Sequence, residues 1–411
     1  MYRHVEIPYG CYWSTPFARW QGSLAHLHSL QFAAHVARAE LARRDIPVTV
    51  FDYAVLGMTT PQAYSFHGLP WLLSLLGAPE LGGPTIAQAC ATGTRCVNIV
   101  ADEIELGRSD VSLIVTCDRT SNGPMLTYLD SNGPGGGRPD DEHWILDSFF
   151  GKTPVPFANE PIVNTAENCA RQFQIDTATQ HELVLRRYEQ YAAAAANDHA
   201  FHKRFMTLPF AVPDKKFAKT VKTIEGDEGI HDTSREKLAR LKPTSPGGTV
   251  TYAGQTHPAD GNAGIVLATR GRAAELSRNP TIRIEVLGVG AARAAEKMMP
   301  LAPVPATKAA LKDADLSIGQ IDAIKSHNPF IVNDIVFAKE TGVDAMRMNN
   351  YGCSLVWGHP HAPTATRGII ELIEELATRG GGYGLFQGCA AGDFGMAVVL
   401  RVTDAAKAKA A

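Results

Sequence analysis

The same order of chemically reactive residues occurs twice along the chain, at nearly the same spacing. An aspartate at the start of a strand-like segment is followed by a cysteine or histidine, and then by a further cysteine. The residues are Asp52, Cys90 and Cys117 in the first half, and Asp322, His359 and Cys389 in the second. The successive separations are 38 and 27 residues in the first copy and 37 and 30 in the second. Such self-similarity at a fixed period predicts two copies of one structural unit.

Alternating strand and helix signals indicate that each unit belongs to the α/β class. The segment Val111–Cys117 is a short apolar run with β-branched residues, which is typical of a buried strand. Before it, Val97, Val100 and Ile104 recur at helical spacing. Each copy therefore places a helix after its first reactive group and a strand before its second cysteine.

An insertion distinguishes the first copy from the second. After Cys389 a final strand, Phe394–Val402, follows at once, whereas the comparable strand after Cys117, Gly264–Ala268, comes much later. The chain of 411 residues is long enough to bury the cores of two such units. The predicted division is 1–118 with 250–280 for the N-terminal half, 119–249 for an inserted loop domain, and 281–411 for the C-terminal half.

Composition and charge exclude several classes of partner. The formal net charge of −3 gives no bulk attraction to nucleic acid or to an anionic membrane. The start lacks the pattern of a signal peptide, and no segment reaches the ~18 consecutive apolar residues of a membrane span. Seven scattered cysteines, an odd number, indicate reduced thiols and predict a cytoplasmic location. No Cys/His pattern has the spacing of a zinc site, so no metal is predicted.

Cys90 is the first candidate for a reactive residue. A short strand leads into a glycine-containing turn around it, and an amphipathic helix follows. A thiol at the N-terminus of a helix meets unpaired N–H groups and a favourable dipole, which are expected to stabilise the thiolate. Since the thiolate is the nucleophilic form, this position suits covalent catalysis. The alternative from local sequence alone is a small buried cysteine with a structural role.

Three further residues are predicted to share a site with Cys90. His327 ends a strand-like segment, Cys389 lies at another strand end, and His359 follows a turn-rich stretch and precedes a helix. In an α/β sheet, reactive groups gather outside the carboxyl ends of the strands. Two cysteines and two histidines at equivalent ends of a repeated unit therefore predict one catalytic centre.

Motifs along nearly the whole chain resemble the thiolase family. The motifs that carry the resemblance are Ser14–Leu24, Gln88–Gly93, Thr165–Asn168, Glu236–Pro243, Asp260–Gly261, His327–Phe330, Asn349–Arg367 and Gly388–Gly395. The resemblance implies a five-layer αβαβα fold of two similar halves, with a loop domain inserted in the first. This agrees with the repeat.

The resemblance also implies a role for each reactive residue. His359 would take the proton of Cys90, and the thiolate would attack a 3-oxoacyl-CoA or, in the reverse direction, an acetyl-CoA. Cys389 would give a proton to the departing carbanion or remove one in synthesis. His327, with His359 or a water, would hold the thioester oxygen. The backbone N–H groups of Cys90 and Ala391 would form a second oxyanion hole.

Coenzyme A is the implied co-substrate, with no covalently bound cofactor, and a homodimer or homotetramer is expected, with an accessory subunit as an option. The residues predicted to contact substrate or coenzyme A are Asn328, Lys219, Thr256, His257 and Ile162. Pro161 and Ile162 stand where the family often has His and Met, and Ala362 replaces a usual glycine. This exchange of polar for apolar groups predicts a preference for longer, branched or aromatic acyl groups, such as those of fatty or aromatic acid degradation.

Two other readings remain open from the sequence. A condensing enzyme of the ketosynthase type shares the fold, but it lacks a second catalytic cysteine, so Cys389 favours a thiolase. A non-catalytic acyl-CoA or lipid-binding subunit belongs to a different class of protein. Relatives of enzymes that have become non-catalytic usually lack the nucleophile or a histidine, and this chain keeps the candidate nucleophile and both candidate histidines.

Overall fold

The computed structural model describes residues 1–129, 140–147 and 160–408. The β-strands are β1 Val5–Glu6, β2 Tyr12–Ser14, β3 Ala18–Arg19, β4 Tyr53–Gly57, β5 Thr85–Ile86, β6 Val111–Arg119, β7 Met125–Tyr128, β8 Asp140–His143, β9 Phe210–Pro213, β10 Thr220–Ile224, β11 Ala259–Thr269, β12 Ile282–Arg293, β13 Ala323–His327, β14 Gly381–Ala390 and β15 Phe394–Asp404. The α-helices are α1 Ser29–Arg43, α2 Leu69–Leu76, α3 Thr92–Glu105, α4 Ile162–Gln172, α5 Thr177–His199, α6 Arg235–Leu238, α7 Arg270–Leu276, α8 Pro303–Ala314, α9 Ile331–Thr341, α10 Ser354–Trp357, α11 Ala362–Arg379 and α12 Ala405–Ala408.

The strands of the two halves follow the same pairing pattern, which confirms the predicted duplication. In the N-terminal half β4 is parallel to β6, and β6 is antiparallel to β11. In the C-terminal half β13 is parallel to β14, and β14 is antiparallel to β15. The short strand β1 pairs with both β11 and β12 and so joins the halves into one hydrogen-bonded sheet, in the order β13-β14-β15-β12-β1-β11-β6-β4-β5.

Helices α3 and α11, one from each half, pack against one another between the two groups of strands. Their close approach requires a glycine: a Cβ at Gly93 would lie 2.8 Å from the carbonyl oxygen of Ala362 and 2.7 Å from Oγ1 of Thr366. On the outer faces, α1 packs on β6 and β11, and α8 packs on β12 and β15. The predicted five-layer αβαβα fold is therefore confirmed.

The chain between β6 and β11 contains α4, α5, the β9–β10 hairpin and α6. Two buried ion pairs fasten this region to the C-terminal half: Asp227 with Arg367 of α11, at 2.6 Å, and Arg187 of α5 with Asp334 of α9, at 3.0 Å. Removing one partner of such a pair leaves an uncompensated buried charge, which typically costs ~3–5 kcal/mol. The division into domains at 119, 250 and 281 stays a prediction.

Within the described ranges, no helix is both long and apolar enough to cross a membrane. The predicted cytoplasmic location is a separate matter and stays a prediction.

Candidate active site

Cys90 lies in the turn between β5 and α3, as the sequence predicted. The residue before it, Ala89, adopts a left-handed conformation with φ of 46°, which turns the chain sharply into the helix. The thiol is 6% exposed. Its Sγ atom lies 3.0 Å from Nε2 of His359. The predicted nucleophile and the predicted base are therefore within hydrogen-bond distance of each other.

His359 does not lie at a strand end, which corrects the sequence interpretation. It follows the short helix α10 and precedes α11, and it is held in place by a bridge to Pro258 and by its N–H, which donates to the carbonyl of His257 at 2.8 Å. On the far side of the ring, Nδ1 lies 2.6 Å from Oγ1 of Thr364. If Nδ1–H donates to Thr364, Nε2 is free to accept the proton of Cys90.

Burial opposes charge on both members of this pair. It raises the pKa of Cys90 to about 12, although the backbone N–H groups of Ala391 and of Cys90 itself act in the opposite direction. Burial also lowers the pKa of His359 well below its ordinary value, with the nearby His327 adding to the effect. The N–H groups therefore favour the thiolate, as expected, but burial has the larger effect on the pKa of Cys90. We expect the pair to rest as a thiol and a neutral imidazole.

His327 is the last residue of β13, as predicted. Its ring lies beside that of His359, with 4.1 Å between centroids, and is 1% exposed. Nδ1 lies 2.9 Å from Oγ of Ser354. Nε2 is buried and has no hydrogen-bond partner among the residues that the structure describes. Burial, and next the nearby His361, lower the pKa of His327 to about 3.

Cys389 lies near the end of β14, beside the same centre. Its Sγ accepts a hydrogen bond from Nδ2 of Asn333, at 3.1 Å. Burial raises the pKa of this thiol well above its ordinary value, and the proximity of Cys90 raises it further. Two thiols and two imidazoles thus converge, as predicted from the repeat.

The reactive centre opens into a mainly apolar cavity of about 70 Å³. The residues lining it are Cys90, Ile162, Val163, Gln255, Thr256, Pro258, Met299, Pro329, Phe330, His359 and His361. A second cavity of about 430 Å³ shares Gln255, Thr256 and Pro258 with the first and is bordered by the exposed Tyr252. The three shared residues place the two cavities next to each other, with Cys90 lining the inner one and Tyr252 the outer one.

The predicted ligand contacts are distributed unevenly around these two cavities. Ile162 and Thr256 line the inner cavity, and His257 lines the outer one. Asn328 is fully buried and uses its amide inside the protein: it donates to Asp334 at 2.8 Å and accepts from the N–H of Leu355 at 3.1 Å.

Lys219 is exposed beside the start of β10 and does not line either cavity. Among the positions singled out for the pocket, Pro161 and Ala362 are also absent from the residues lining the two cavities. All these contacts with substrate stay predictions.

Ser354, Thr364 and Asn333 are site residues that sequence reasoning missed. Each directs a polar atom at one of the predicted catalytic groups. Ser354 and Thr364 lie inside the recognised block Asn349–Arg367, but a small polar side chain at the start of a helix is also typical of a capping residue. His361, two residues beyond His359, also lines the inner cavity.

A metal was not predicted here, but three donors lie close enough to hold one. Sγ of Cys90 and one nitrogen from each of His327 and His359 lie within 4.8 Å of one another. Thiolate and imidazole are ligands that suit Zn²⁺. The same three atoms are predicted to act on the substrate, so a metal ion bound to them would compete with that reaction.

Comparison with known proteins agrees with this geometry. Residues 13–271 match the family described as thiolase, N-terminal domain, and residues 280–402 match thiolase, C-terminal domain. Similar proteins include the beta-ketothiolase BktB of Cupriavidus necator, 27% identical with coverage of 97% of this chain and 99% of the relative. The beta-ketoadipyl-CoA thiolase of Pseudomonas aeruginosa is also 27% identical, with coverage of 94% and 96%.

Among solved structures, human mitochondrial 3-ketoacyl-CoA thiolase has a TM-score of 0.86 at 24% identity, covering 98% of this chain and 99% of that one. The same human enzyme in complex with CoA has a TM-score of 0.85 at 24% identity, covering 98% of each chain. These structures show the fold. The two family matches span most of the sequence, and the chain belongs to the thiolase family of acyltransferases.

Proposed function

We propose that this protein is a 3-oxoacyl-CoA thiolase that works by a ping-pong mechanism through an acyl-enzyme on Cys90. The observation that carries the proposal is the contact of 3.0 Å between Sγ of Cys90 and Nε2 of His359, with Nδ1 of that histidine held by Thr364. Nucleophile, base and orienting group are thereby aligned.

In the first half-reaction, His359 accepts the proton of Cys90 as the sulfur attacks the 3-oxo carbonyl. The backbone N–H groups of Cys90 and Ala391, which already contact the sulfur, stabilise the tetrahedral oxyanion. The C2–C3 bond then breaks, and its electron pair forms the enolate of acetyl-CoA, whose thioester oxygen is held by His327. Cys389 protonates C2, and acetyl-CoA leaves.

In the second half-reaction, the thiolate of Cys389 takes the proton of an incoming CoA thiol. The CoA sulfur attacks the acyl group on Cys90 and releases the shortened acyl-CoA. Sγ of Cys90 then recovers its proton from His359, so both cysteines and the imidazole return to their resting forms. The same steps in reverse give a Claisen condensation.

The two adjacent cavities support a path for the substrate. The outer cavity, bordered by His257 and Tyr252, suits the arm of CoA, and the inner one suits the acyl group. Ile162, Val163 and Phe330 give the inner cavity an apolar wall. This wall supports the proposed preference for longer, branched or aromatic acyl groups, since burying carbon contributes ~0.8 kcal/mol per CH₂.

The direct test is to incubate the protein with an acyl-CoA, digest it and locate the acyl group by mass spectrometry. The expected site is Cys90, and Cys90→Ala should show no acylation. Cys96→Ala is a matched control, because Cys96 lies on the same helix α3, is fully buried and makes no contact with His359 in the described structure. Acylation of a different cysteine would rule the mechanism out.

A substrate panel separates the remaining alternatives. Cleavage of 3-oxoacyl-CoA thioesters by the purified chain with CoA would exclude a non-catalytic binding subunit. Condensation without cleavage or α-proton exchange would favour a ketosynthase-type enzyme. The ratio kcat/KM across the panel reports the acyl preference. Activity that appears only on adding a second protein would point to an accessory subunit, and light scattering gives the homo-oligomeric state.

A further inference from the structure

The neutral ring of His327 can present either an N–H or a lone pair to the reactive centre. Burial holds the pKa of this residue near 3, so at neutral pH it carries a single ring proton. In a neutral imidazole the protonated nitrogen donates a hydrogen bond and the other accepts one. Only a proton on Nε2 would let His327 stabilise a thioester oxygen as negative charge develops there.

Ser354 is the residue that contacts the opposite nitrogen. Its side chain is fully buried at the start of α10, and its Oγ lies 2.9 Å from Nδ1 of His327. The same oxygen accepts the backbone N–H of Asn328 at 3.1 Å and lies 3.1 Å from the amide oxygen Oδ1 of that residue. The one hydroxyl proton therefore has two acceptors in reach.

The hydrogen bonds around Asn328 favour donation of the Ser354 hydroxyl proton to the imidazole of His327. Oδ1 of Asn328 already accepts the N–H of Leu355 at 3.1 Å, so it keeps a partner without the hydroxyl proton. Nδ1 of His327, by contrast, has only Oγ of Ser354 as its hydrogen-bond partner among the described residues.

The groups on the other side of the ring favour the same arrangement. The nearby sulfur of Cys90 lies 3.0 Å from Nε2 of His359; with its proton in that contact, it offers His327 lone pairs. An incoming thioester oxygen is also an acceptor. An N–H at Nε2 complements both, whereas a lone pair there would be repelled by both.

We propose that Ser354 is a positioning residue that donates its hydroxyl proton to Nδ1 of His327 and so fixes the Nε2–H tautomer facing Cys90. The neighbouring His359 needs the opposite tautomer, because its Nε2 must accept the proton of Cys90 while Nδ1–H donates to Thr364. Two adjacent imidazoles are thus set in opposite tautomers by two hydroxyl groups. The effect on catalysis rests on the proposed function, whereas the tautomer of His327 does not depend on it.

The tautomer can be read directly from the ¹⁵N shifts of protein with labelled histidine. The signals of His327 are assigned as those lost in His327→Asn. The expected result is a protonated-type shift at Nε2 and an unprotonated-type shift at Nδ1, with this preference lost in Ser354→Ala. A proton on Nδ1 in the native protein would overturn the inference. Since no substrate is present, this outcome is independent of whether the enzyme is a thiolase.

Kinetics then test the catalytic consequence. Ser354→Ala should lower kcat for carbon–carbon cleavage and α-proton exchange at least about tenfold, the smaller end of the effect of losing an oxyanion donor. KM and the rate of acylation of Cys90 by a simple acyl-CoA, which involves no enolate, should change less than about twofold, whereas a general packing defect would impair acylation and cleavage alike. Equal loss of acylation by the simple acyl-CoA and of carbon–carbon cleavage would therefore refute the positioning role.

Ser326→Ala provides a matched control. Ser326 is also buried, and its Oγ donates to Asp334 at 2.6 Å in the same network without contacting His327. It should leave the ¹⁵N shifts of His327 unchanged. Ser354→Thr, which keeps the hydroxyl, should restore exchange, and the shifts of the native protein alone decide the question if Ser354→Ala fails to fold.

Discussion

The resting state of Cys90 can be tested by the pH dependence of its alkylation. Burial raises the pKa of this thiol from its ordinary value of 9.0 to about 12. At pH 8 an ordinary thiol is about one-tenth thiolate, whereas a thiol with a pKa of about 12 is about one part in 10⁴ thiolate. The rate of reaction with iodoacetamide should therefore be lower by about three orders of magnitude than that of an exposed thiol, since the thiolate is the reacting form.

The direction of the pKa shift of Cys90 determines how the alkylation rate depends on pH. A raised pKa keeps the thiol protonated across the neutral range, so the rate should rise about tenfold for each pH unit from about pH 6 to about pH 9.5, without levelling off. The measurement is the rate of carbamidomethylation of the Cys90 peptide by mass spectrometry, with N-acetylcysteine as an internal reference and circular dichroism to confirm that the fold persists.

A plateau reached at or below about pH 7 would refute this reasoning. It would mean that Cys90 and His359 rest as a thiolate–imidazolium pair and that the N–H groups at the start of α3 prevail over burial after all. A profile that levels off with the pKa of N-acetylcysteine would instead show that the thiol is open to solvent in the free protein.

Three further outcomes follow from the geometry. Cys389→Ala should still form the acyl-enzyme from a simple acyl-CoA but lose carbon–carbon cleavage and α-proton exchange, and normal exchange would contradict its role as acid and base. Ile162→Ala should lower kcat/KM for a long 3-oxoacyl-CoA by about 10- to 30-fold, because the three carbons that are lost contribute ~2 kcal/mol of apolar contact, and it should change kcat/KM for acetoacetyl-CoA little. Ile175→Ala is the control: Ile175 packs in the same apolar cluster but does not line the inner cavity, so this variant should lack the selectivity. Zn²⁺ should inhibit reversibly, with a chelator restoring activity, because the thiol and its two neighbouring imidazoles lie within 4.8 Å of one another; equally tight binding by Cys90→Ala would place the ion elsewhere.

The duplicated fold could be predicted because its signal is carried by spacing along the chain. Strand β4 after Asp52 and strand β13 after Asp322 hold equivalent places in the two halves of the sheet. The positions of Cys90, Cys389 and His327 beside the strand ends followed from the same pattern. The position of His359 did not, because a histidine after a turn can follow a short helix such as α10 as readily as a strand.

The electrostatics of the site could not be predicted from local sequence. The start of α3 suggested a stabilised thiolate, but the pKa of Cys90 depends on how completely α11 and β14 exclude water from it. The partners Ser354, Thr364 and Asn333 were also out of reach. A hydroxyl or amide becomes part of a catalytic centre only through the tertiary contact that it makes.

The four side chains proposed to be catalytic share one electrostatic property, which bears on how the site can work. Burial raises the pKa of Cys90 and Cys389 and lowers that of His327 and His359, so it favours the neutral form of all four. Charge must then appear only as the reaction proceeds. When it does, the backbone N–H groups of Ala391 and Cys90, which lower the pKa of the Cys90 thiol, are already close to the sulfur. Fixed donors of this kind stabilise a transition state far more in a dry site than in water. A thiol that reacts slowly with iodoacetamide and an efficient acyl-enzyme are therefore compatible, because the substrate carbonyl, and not the empty site, receives the negative charge.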